Sequence, residues 1–180
     1  MTGPDDIAEV TPVRPGDASG VTRTHLLAVE CAFRDQPGAA ENLHRFLVTN
    51  MAARKLRDWT ALAASGDPRF LVARTHNGTV AGFIRSTLAD DGVAEINEWY
   101  VDPGWHGRGV GAALMRMTLG HLEVSGASEI RVRTTADTIA VERYEHYGFA
   151  PYGTPSGTPE LLHQYGIAAP QIELRRWLYR

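Results

Sequence analysis

Residues 95–112 read EINEWYVDPGWHGRGVGA, an apolar strand that passes through one short turn into glycines that open a helix. Gly107, Gly109 and Gly111 have no Cβ atom, so the backbone there can approach a ligand closely. The first N–H groups of a helix lack partners within the helix and point outward together with the positive end of its dipole. The stretch therefore predicts a turn that binds a phosphate group.

Two common phosphate-binding motifs fit this turn poorly. A nucleoside triphosphate loop needs Lys followed by Ser or Thr, where this chain has Ala112 and Ala113. A dinucleotide-binding fold needs GxGxxG spacing and an acidic residue about twenty positions later inside a βαβ unit. The acidic residue nearest that offset, Glu129, precedes a single predicted strand. A GxGxG run alone is equally typical of a flexible turn, so the surrounding sequence must decide.

A second motif follows the alternating strand predicted at 129–134. Residues 137–149 read DTIAVERYEHYGF, with the pattern D-x-x-A-x-x-x-Y-x-x-x-G-F. The two motifs in this order resemble the GNAT acetyltransferases, where a Val-x-Pro turn leads into R/Q-x-x-G-x-G/A and a later helix carries N-x-x-A-x-x-x-Y-x-x-x-G-F. The resemblance covers residues 70–153. It implies an α/β GNAT fold, with a mixed, mostly antiparallel sheet flanked by helices and splayed after the fourth strand.

The resemblance also implies that acetyl-CoA is the cosubstrate and that the glycine turn binds its diphosphate through main-chain N–H groups. His106 stands where the family prefers Arg or Gln. If main-chain N–H groups bind the diphosphate, the side chain of His106 should contribute little to cofactor binding. Arg108 either adds positive charge or is an ordinary surface residue. The preceding strand would pair with the pantetheine amides as an added strand does. The predicted contacts here are Trp99, Tyr100, Val101, His106, Gly107, Arg108, Gly109, Val110, Gly111 and Ala112.

The second motif adds Asp137, Ala140 and Tyr144 to the predicted cofactor contacts. Asp137 replaces the family's Asn, and its carboxylate would be repelled by the phosphates of CoA, which favours an N-cap of the following helix instead. Ala140, Tyr144 and Tyr147 share one helical face. Spacing alone makes both tyrosines core aromatics. The resemblance makes Tyr144 the general acid that protonates the departing thiolate, and Tyr147 keeps a structural role.

Acetyl transfer to an amine also needs a base, because an amine with a pKa near 10 is a cation at neutral pH. Glu95 and Glu98 are the candidates, and regular pleating would place them on opposite faces of the strand. The resemblance favours Glu95, whereas a β-bulge would change the alternation in favour of Glu98. For each, an ordinary solvated or ion-paired carboxylate is the alternative. A main-chain N–H near Tyr100 would stabilise the oxyanion.

Composition predicts a single domain over 1–180. The chain is 43% hydrophobic and 22% charged, and its formal charge of −3 argues against a nucleic-acid-binding protein. The lone Cys31 lies outside both motifs, so we expect direct attack in one ternary complex with no covalent intermediate. No apolar run near the N-terminus resembles a signal peptide or membrane span, which predicts a cytoplasmic protein. The seven histidines show no metal-ligand spacing, so we expect no metal.

The pattern of apolar residues and turn signals predicts the order of elements along the chain. Residues 1–8 are expected to be a loose arm, and Asn77-Gly78 indicates a tight hairpin. The predicted strands are 9–13, 69–74, 79–86, 94–101, 129–134, a short one near 150, and 171–178. Four helices are predicted: one that starts at 17, one over 41–62 with a break, one over 109–125, and one that includes Tyr144. Residues 153–170 are a predicted long loop.

The acceptor amine stays open at this point. A small-molecule or peptide amine is expected, whether an amino-acid or peptide α-amine, a polyamine or an antibiotic. A non-catalytic acetyl-CoA sensor on the same fold is the alternative function. A dinucleotide oxidoreductase would need a parallel sheet, which the Asn77-Gly78 hairpin disfavours. The family resemblance also allows a homodimer, although no motif specifies an interface.

Overall fold

A computed structural model describes residues 7–35, 39–163 and 167–178 of the chain. They form a seven-stranded sheet in the order β1-β2-β3-β4-β5-β7-β6. Among the strands of these described residues, β4–β5 is the one parallel pair, and the other neighbours are antiparallel. The strands are β1 (Ile7–Pro12), β2 (Phe70–Thr75), β3 (Val80–Leu88), β4 (Val93–Val101), β5 (Glu129–Thr135), β6 (Ala150–Ser156) and β7 (Gln171–Trp177). The predicted mixed, mostly antiparallel sheet is confirmed.

Helices cover both faces of this sheet. A π-helical turn, Leu47–Met51, joins the second helix to the third, where the sequence predicted a break. Within the described ranges, no helix combines the length and the apolar character needed to cross a membrane. The helices are α1 (Ala18–Phe33), α2 (Ala39–Phe46), α3 (Ala52–Ser65), α4 (Val110–Val124), α5 (Ile139–Glu145) and α6 (Glu160–His163), with short 3-10 helices at Pro15–Asp17 and Pro103–Trp105.

The core lies on both sides of the central strands, because alternate residues of a strand point to opposite faces. Leu71 and Ile84 pack with Leu114 of α4 on one face. Val72 and Phe83 pack on the other face with α1 and α3. Every residue of β2 is buried, which explains why its sequence runs FLVA without alternation. Layers on both faces hold β3 and β4 rigidly at the centre.

The strand β4 carries a β-bulge. Arg85 pairs with Glu98, but the next residue, Ser86, pairs with Ile96, so Asn97 is an extra residue in β4. A bulge of this kind bends the strand and shifts the alternation of its side chains. The alternation of side chains between the two faces of the sheet is therefore shifted by one residue between the two ends of β4.

The sheet splays at the same place. β4 pairs with β5 only through Val93–Ile96, opposite 129–132. Beyond this point β5 continues beside β7 as far as Thr135, while residues 97–101 of β4 stay paired with β3 alone. The edge of β4 that faces β5 is thus left free, and the predicted splay after the fourth strand is confirmed.

Some predicted boundaries are wrong. β1 begins at Ile7, so Ile7 and Ala8 are not part of a loose arm, whereas residues 1–6 lie outside the described residues. The segment predicted as a loop contains the second half of β6 and all of α6. Pairing with β7 holds this Pro- and Gly-rich stretch as a strand. Proline is tolerated there because β6 lies at the exposed edge of the sheet.

Candidate active site

The glycine turn between β4 and α4 exposes main-chain donors. Gly107 and Gly109 have φ of 76° and 78°, a left-handed conformation that glycine adopts without strain. Val110, Gly111 and Ala112 form the first turn of α4, and no hydrogen-bond acceptor in the described part of the chain takes their N–H groups. Such a helix start is suited to hold an anion.

Close packing brings this turn down onto β4. A Cβ atom on Gly111 would lie 3.3 Å from Trp99 Cζ2 and 3.5 Å from Val101 Cγ2. On Gly82 of β3, a Cβ atom would lie 2.9 Å from Val110 Cγ1 and 3.1 Å from Leu114 Cδ1, both in α4. Gly82, which the motif reading missed, therefore lets α4 sit directly over β3 and β4.

Asp102, at the end of β4, fixes the start of the turn. Its buried carboxylate accepts hydrogen bonds from the Gly104 N–H at 2.9 Å and from Arg23 Nη1 at 2.7 Å. Arg23 belongs to α1, so this ion pair ties the turn to the first helix. The long sequence separation of this pair explains why the motifs did not reveal it.

A cleft of about 950 Å³ lies where the sheet splays, between β4, β5, α1, α5 and the glycine turn. Of the predicted site residues, Glu95 and Arg108 do not line it; the Arg108 guanidinium instead lies 5.0 Å from the Trp105 ring. The predicted residues that line the cleft are Glu98, Trp99, Tyr100, Val101, His106, Gly107, Gly109, Val110, Gly111, Ala112, Asp137, Ala140 and Tyr144.

The free edge of β4 presents the main-chain groups of Trp99 and Val101. Asp102 donates its N–H to the Ala81 oxygen of β3, and antiparallel pairing repeats this pattern every second residue. The Tyr100 N–H therefore points to β3, and those of its two neighbours point to the cleft. The N–H groups near Tyr100 that are open to the cleft are therefore those of Trp99 and Val101.

The bulge decides the positions of the two candidate bases. Arg85 and Thr87 project from one face of β3, so their partners Glu98 and Glu95 share that face, and the expectation of opposite faces is wrong. Glu95 is exposed in the part of β4 that still pairs with β5. Glu98 lines the cleft beyond the bulge and accepts a hydrogen bond from Arg85 Nε at 2.7 Å.

Tyr144 lies on the cleft face of α5 and is 6% exposed. Its ring packs edge-to-face against Trp99, with centroids 5.2 Å apart, and against Phe149 at 5.5 Å. Burial raises the pKa of Tyr144 well above its usual range, and the nearby Tyr100 and Glu98 raise it further. Tyr144 therefore keeps its proton at neutral pH and is available as a donor.

Tyr100 carries the opposite wall of the cleft and stacks on His25 of α1, with ring centroids 4.4 Å apart. Burial raises the pKa of Tyr100 to about 12, with a further contribution from Glu98. Burial, followed by the charge of Lys55, lowers the pKa of His25 to about 3. Both rings are therefore neutral at pH 7, and they form an uncharged stack at the wall of the cleft that Tyr100 lines.

Asp137 is not the N-cap of α5. It has a φ of 55°, and Thr138 occupies the N-cap position. The Thr138 hydroxyl donates to the Thr135 oxygen at 2.8 Å, so the α5 start has no side-chain cap. Asp137 is exposed at the rim of the cleft, in a conformation that aspartate tolerates better than most residues.

Tyr147 and Cys31 also line the cleft. The Tyr147 ring lies 5.9 Å from that of Trp99, centroid to centroid. Cys31 is a free, partly buried thiol on α1. Across the described ranges, no three His, Cys, Asp or Glu side chains lie close enough together to hold a metal ion.

Curated relatives match most of this chain. A mycothiol acetyltransferase of Nocardiopsis dassonvillei is 30% identical over 83% of the chain, which spans 45% of that relative's length. A protein of Mycobacterium bovis named uncharacterized N-acetyltransferase is 29% identical over 86% of the chain and 87% of its own length.

The fold has close counterparts among solved structures. The PaiA N-acetyltransferase of Thermoplasma acidophilum, solved in complex with coenzyme A, matches with a TM-score of 0.70 at 15% identity, over 94% of this chain and 98% of that chain. The model of the acetyltransferase (GNAT) family matches residues 30–149, which include the glycine turn, the splay and α5. The chain belongs to the acetyltransferase (GNAT) family.

Proposed function

We propose that this protein transfers an acetyl group from acetyl-CoA to a primary amine by direct attack in a ternary complex. The observation that carries the proposal is the single cleft that joins the free N–H groups of α4, the free edge of β4 and Tyr144. The cofactor offers a diphosphate, an amide-containing arm and a thioester in the same order. The residues present therefore fit acetyl-CoA.

Main-chain groups hold the cofactor in this proposal. The N–H groups of Val110, Gly111 and Ala112 bind the diphosphate, since a helix start offers several parallel donors to one anion. The main-chain groups of Trp99 and Val101 pair with the amides of the arm in the manner of an added strand. The N–H of Trp99 or Val101 also donates a hydrogen bond to the thioester oxygen.

Glu98 is the proposed base, in place of the Glu95 that the family resemblance favours. It lines the cleft, and Arg85 holds its carboxylate in position. The substrate ammonium gives a proton to Glu98, directly or through water, and the amine nitrogen then attacks the carbonyl carbon. Glu95 lies in the paired part of β4 and is not a lining residue.

Tyr144 completes the transfer. When the carbon–sulfur bond breaks, the thiolate takes the hydroxyl proton of Tyr144 and leaves as CoA with a free thiol. As the amide forms, its nitrogen loses a second proton, which the tyrosinate takes up directly or through water, and the acid formed at Glu98 returns its proton to solvent. The products are the N-acetylated amine, CoA and one proton, which balances the atoms and charges of the ammonium and acetyl-CoA.

The test measures released thiol by absorbance over a panel of amines at saturating acetyl-CoA. The panel holds amino-acid and peptide α-amines, polyamines, aminoglycosides and amines related to mycothiol, because one relative carries that name. Turnover of any class above the rate without amine supports the proposal. Tight acetyl-CoA binding without thiol release would favour a non-catalytic acetyl-CoA sensor, and absence of binding would reject both.

A further inference from the structure

Trp99 carries a buried donor without a partner. Its indole Nε1 is shielded from solvent and makes no hydrogen bond within the described part of the chain. On folding, such a donor loses its hydrogen bond to water without gaining one inside the protein, which costs free energy. A buried donor of this kind therefore needs a specific explanation. Trp59 has the same unpartnered Nε1, but it lies in the core between α3 and the sheet and does not line the cleft.

The position of Trp99 distinguishes it from Trp59. Its Nε1 lies 3.6 Å from the point that a Cβ atom on Gly111 would occupy, in the first turn of α4. The ring also packs edge-to-face against Tyr144 of α5 and against Tyr147, which follows α5. The indole therefore lies between the turn assigned to the diphosphate and the hydroxyl assigned to the sulfur.

The part of acetyl-CoA that spans these two points is the pantetheine arm, which carries two secondary amides. Each amide offers a carbonyl acceptor and an N–H donor. Asn97, two residues before Trp99 on β4, has a buried Oδ1 without a partner in the described residues and also lines the cleft. Trp99 thus offers an unpartnered N–H donor and Asn97 an unpartnered oxygen acceptor. These complement the carbonyl and the N–H of an amide, respectively.

We propose that the indole N–H of Trp99 donates a hydrogen bond to an amide carbonyl of the pantetheine arm. This inference rests on the proposed function, and it adds a side-chain contact to the main-chain pairing of β4. Because Nε1 is shielded from solvent in the cofactor-free chain, the proposed bond requires the ring to move toward the arm when the cofactor binds. Binding thereby satisfies a donor that the free protein leaves unpaired.

The test compares Trp99→Phe with Trp59→Phe as the matched control, by calorimetric titration with CoA. We expect Trp99→Phe to weaken CoA binding about tenfold, and Trp59→Phe to stay within about twofold of wild type. Replacing Trp99 by 3-benzothienylalanine, which exchanges the N–H for sulfur at nearly constant shape, should reproduce the loss even if Trp99→Phe disturbs packing. Unchanged CoA affinity in the benzothienylalanine variant overturns the inference.

A second probe shows which part of the cofactor receives the bond. Adenosine 3′,5′-bisphosphate lacks the pantetheine arm, so the Trp99 variants should bind it as wild type does. Equal weakening for CoA and for the bisphosphate overturns the assignment to the arm. Failure of the wild-type chain to bind CoA overturns the proposed function itself, whereas normal wild-type binding with unaffected Trp99 variants overturns this inference alone.

Discussion

The two ends of the cleft are built from different kinds of group. At the end that we propose binds the diphosphate, called the phosphate end, the donors are main-chain N–H groups of α4, next to the left-handed Gly107 and Gly109. At the end that we propose holds the acetyl group, called the acyl end, the side chains of Glu98 and Tyr144 line the cleft. A substitution at the phosphate end should therefore lower CoA affinity only if it alters the backbone. At the acyl end, removal of one side-chain oxygen should be enough to lower turnover.

Tyr144→Phe should have the largest effect. It removes the proposed proton donor and keeps the ring that packs on Trp99, so turnover should fall about a thousandfold. Affinity for acetyl-CoA should stay within about twofold of wild type. Steady-state kinetics and calorimetric titration measure the two quantities separately. Loss of binding with unchanged turnover would show that Tyr144 belongs to the cofactor grip instead.

The neutral stack of His25 on Tyr100 makes stability depend on pH. Burial lowers the pKa of His25 from 6.5 to about 3. Between these two pH values, His25 is protonated in the unfolded chain and neutral in the folded chain. This stabilisation is fully present above pH 6.5 and is lost as the pH falls toward 3.

Between pH 7 and pH 4, the wild-type chain should lose about 3 kcal/mol of unfolding free energy more than His25→Phe. Urea unfolding at both pH values measures this difference, and the variant is the control for all other titrating groups. Equal losses in the two proteins would mean that His25 is charged in the folded state.

Glu98→Gln and Glu95→Gln test where the bulge places the base. We expect Glu98→Gln to lower turnover about a hundredfold at neutral pH, because the amide cannot take the proton. Glu95→Gln should stay within about threefold of wild type, since Glu95 lies outside the cleft. The reverse order would restore the residue that the family resemblance favours.

Gly109→Val and His106→Ala give the smallest effects and separate backbone from side chain at the phosphate end. Valine is strained at the φ of 78° found at Gly109, although its Cβ would meet no neighbour within 4 Å, so CoA affinity should fall about tenfold through the backbone alone. His106→Ala should change affinity by less than about twofold. A larger loss of CoA affinity for His106→Ala would mean that side chains bind the phosphates.

The motifs located residues at fixed local spacing better than residues whose position depends on strand pairing. The glycines of the turn and the aromatic of α5 act at fixed local spacing, so Gly109, Gly111 and Tyr144 could be placed from the sequence alone. The faces of Glu95 and Glu98 could not, because they depend on the bulge at Asn97, which only the pairing with β3 reveals.

Long-range contacts set the other limits of sequence reading. The Arg23–Asp102 ion pair joins residues of α1 and the glycine turn, and the His25–Tyr100 stack joins α1 to β4. No local sequence pattern predicts either contact, because the partners are far apart in the chain. Likewise, β6 extends into a Pro- and Gly-rich segment because β7 pairs with it, and local composition is overridden by that pairing.

A crystal structure of the protein with CoA tests the central claim most directly. We predict diphosphate oxygens within hydrogen-bonding distance of the Val110, Gly111 and Ala112 N–H groups, with the sulfur within hydrogen-bonding distance of the Tyr144 hydroxyl. A diphosphate bound anywhere else, or a sulfur remote from Tyr144, would contradict the account.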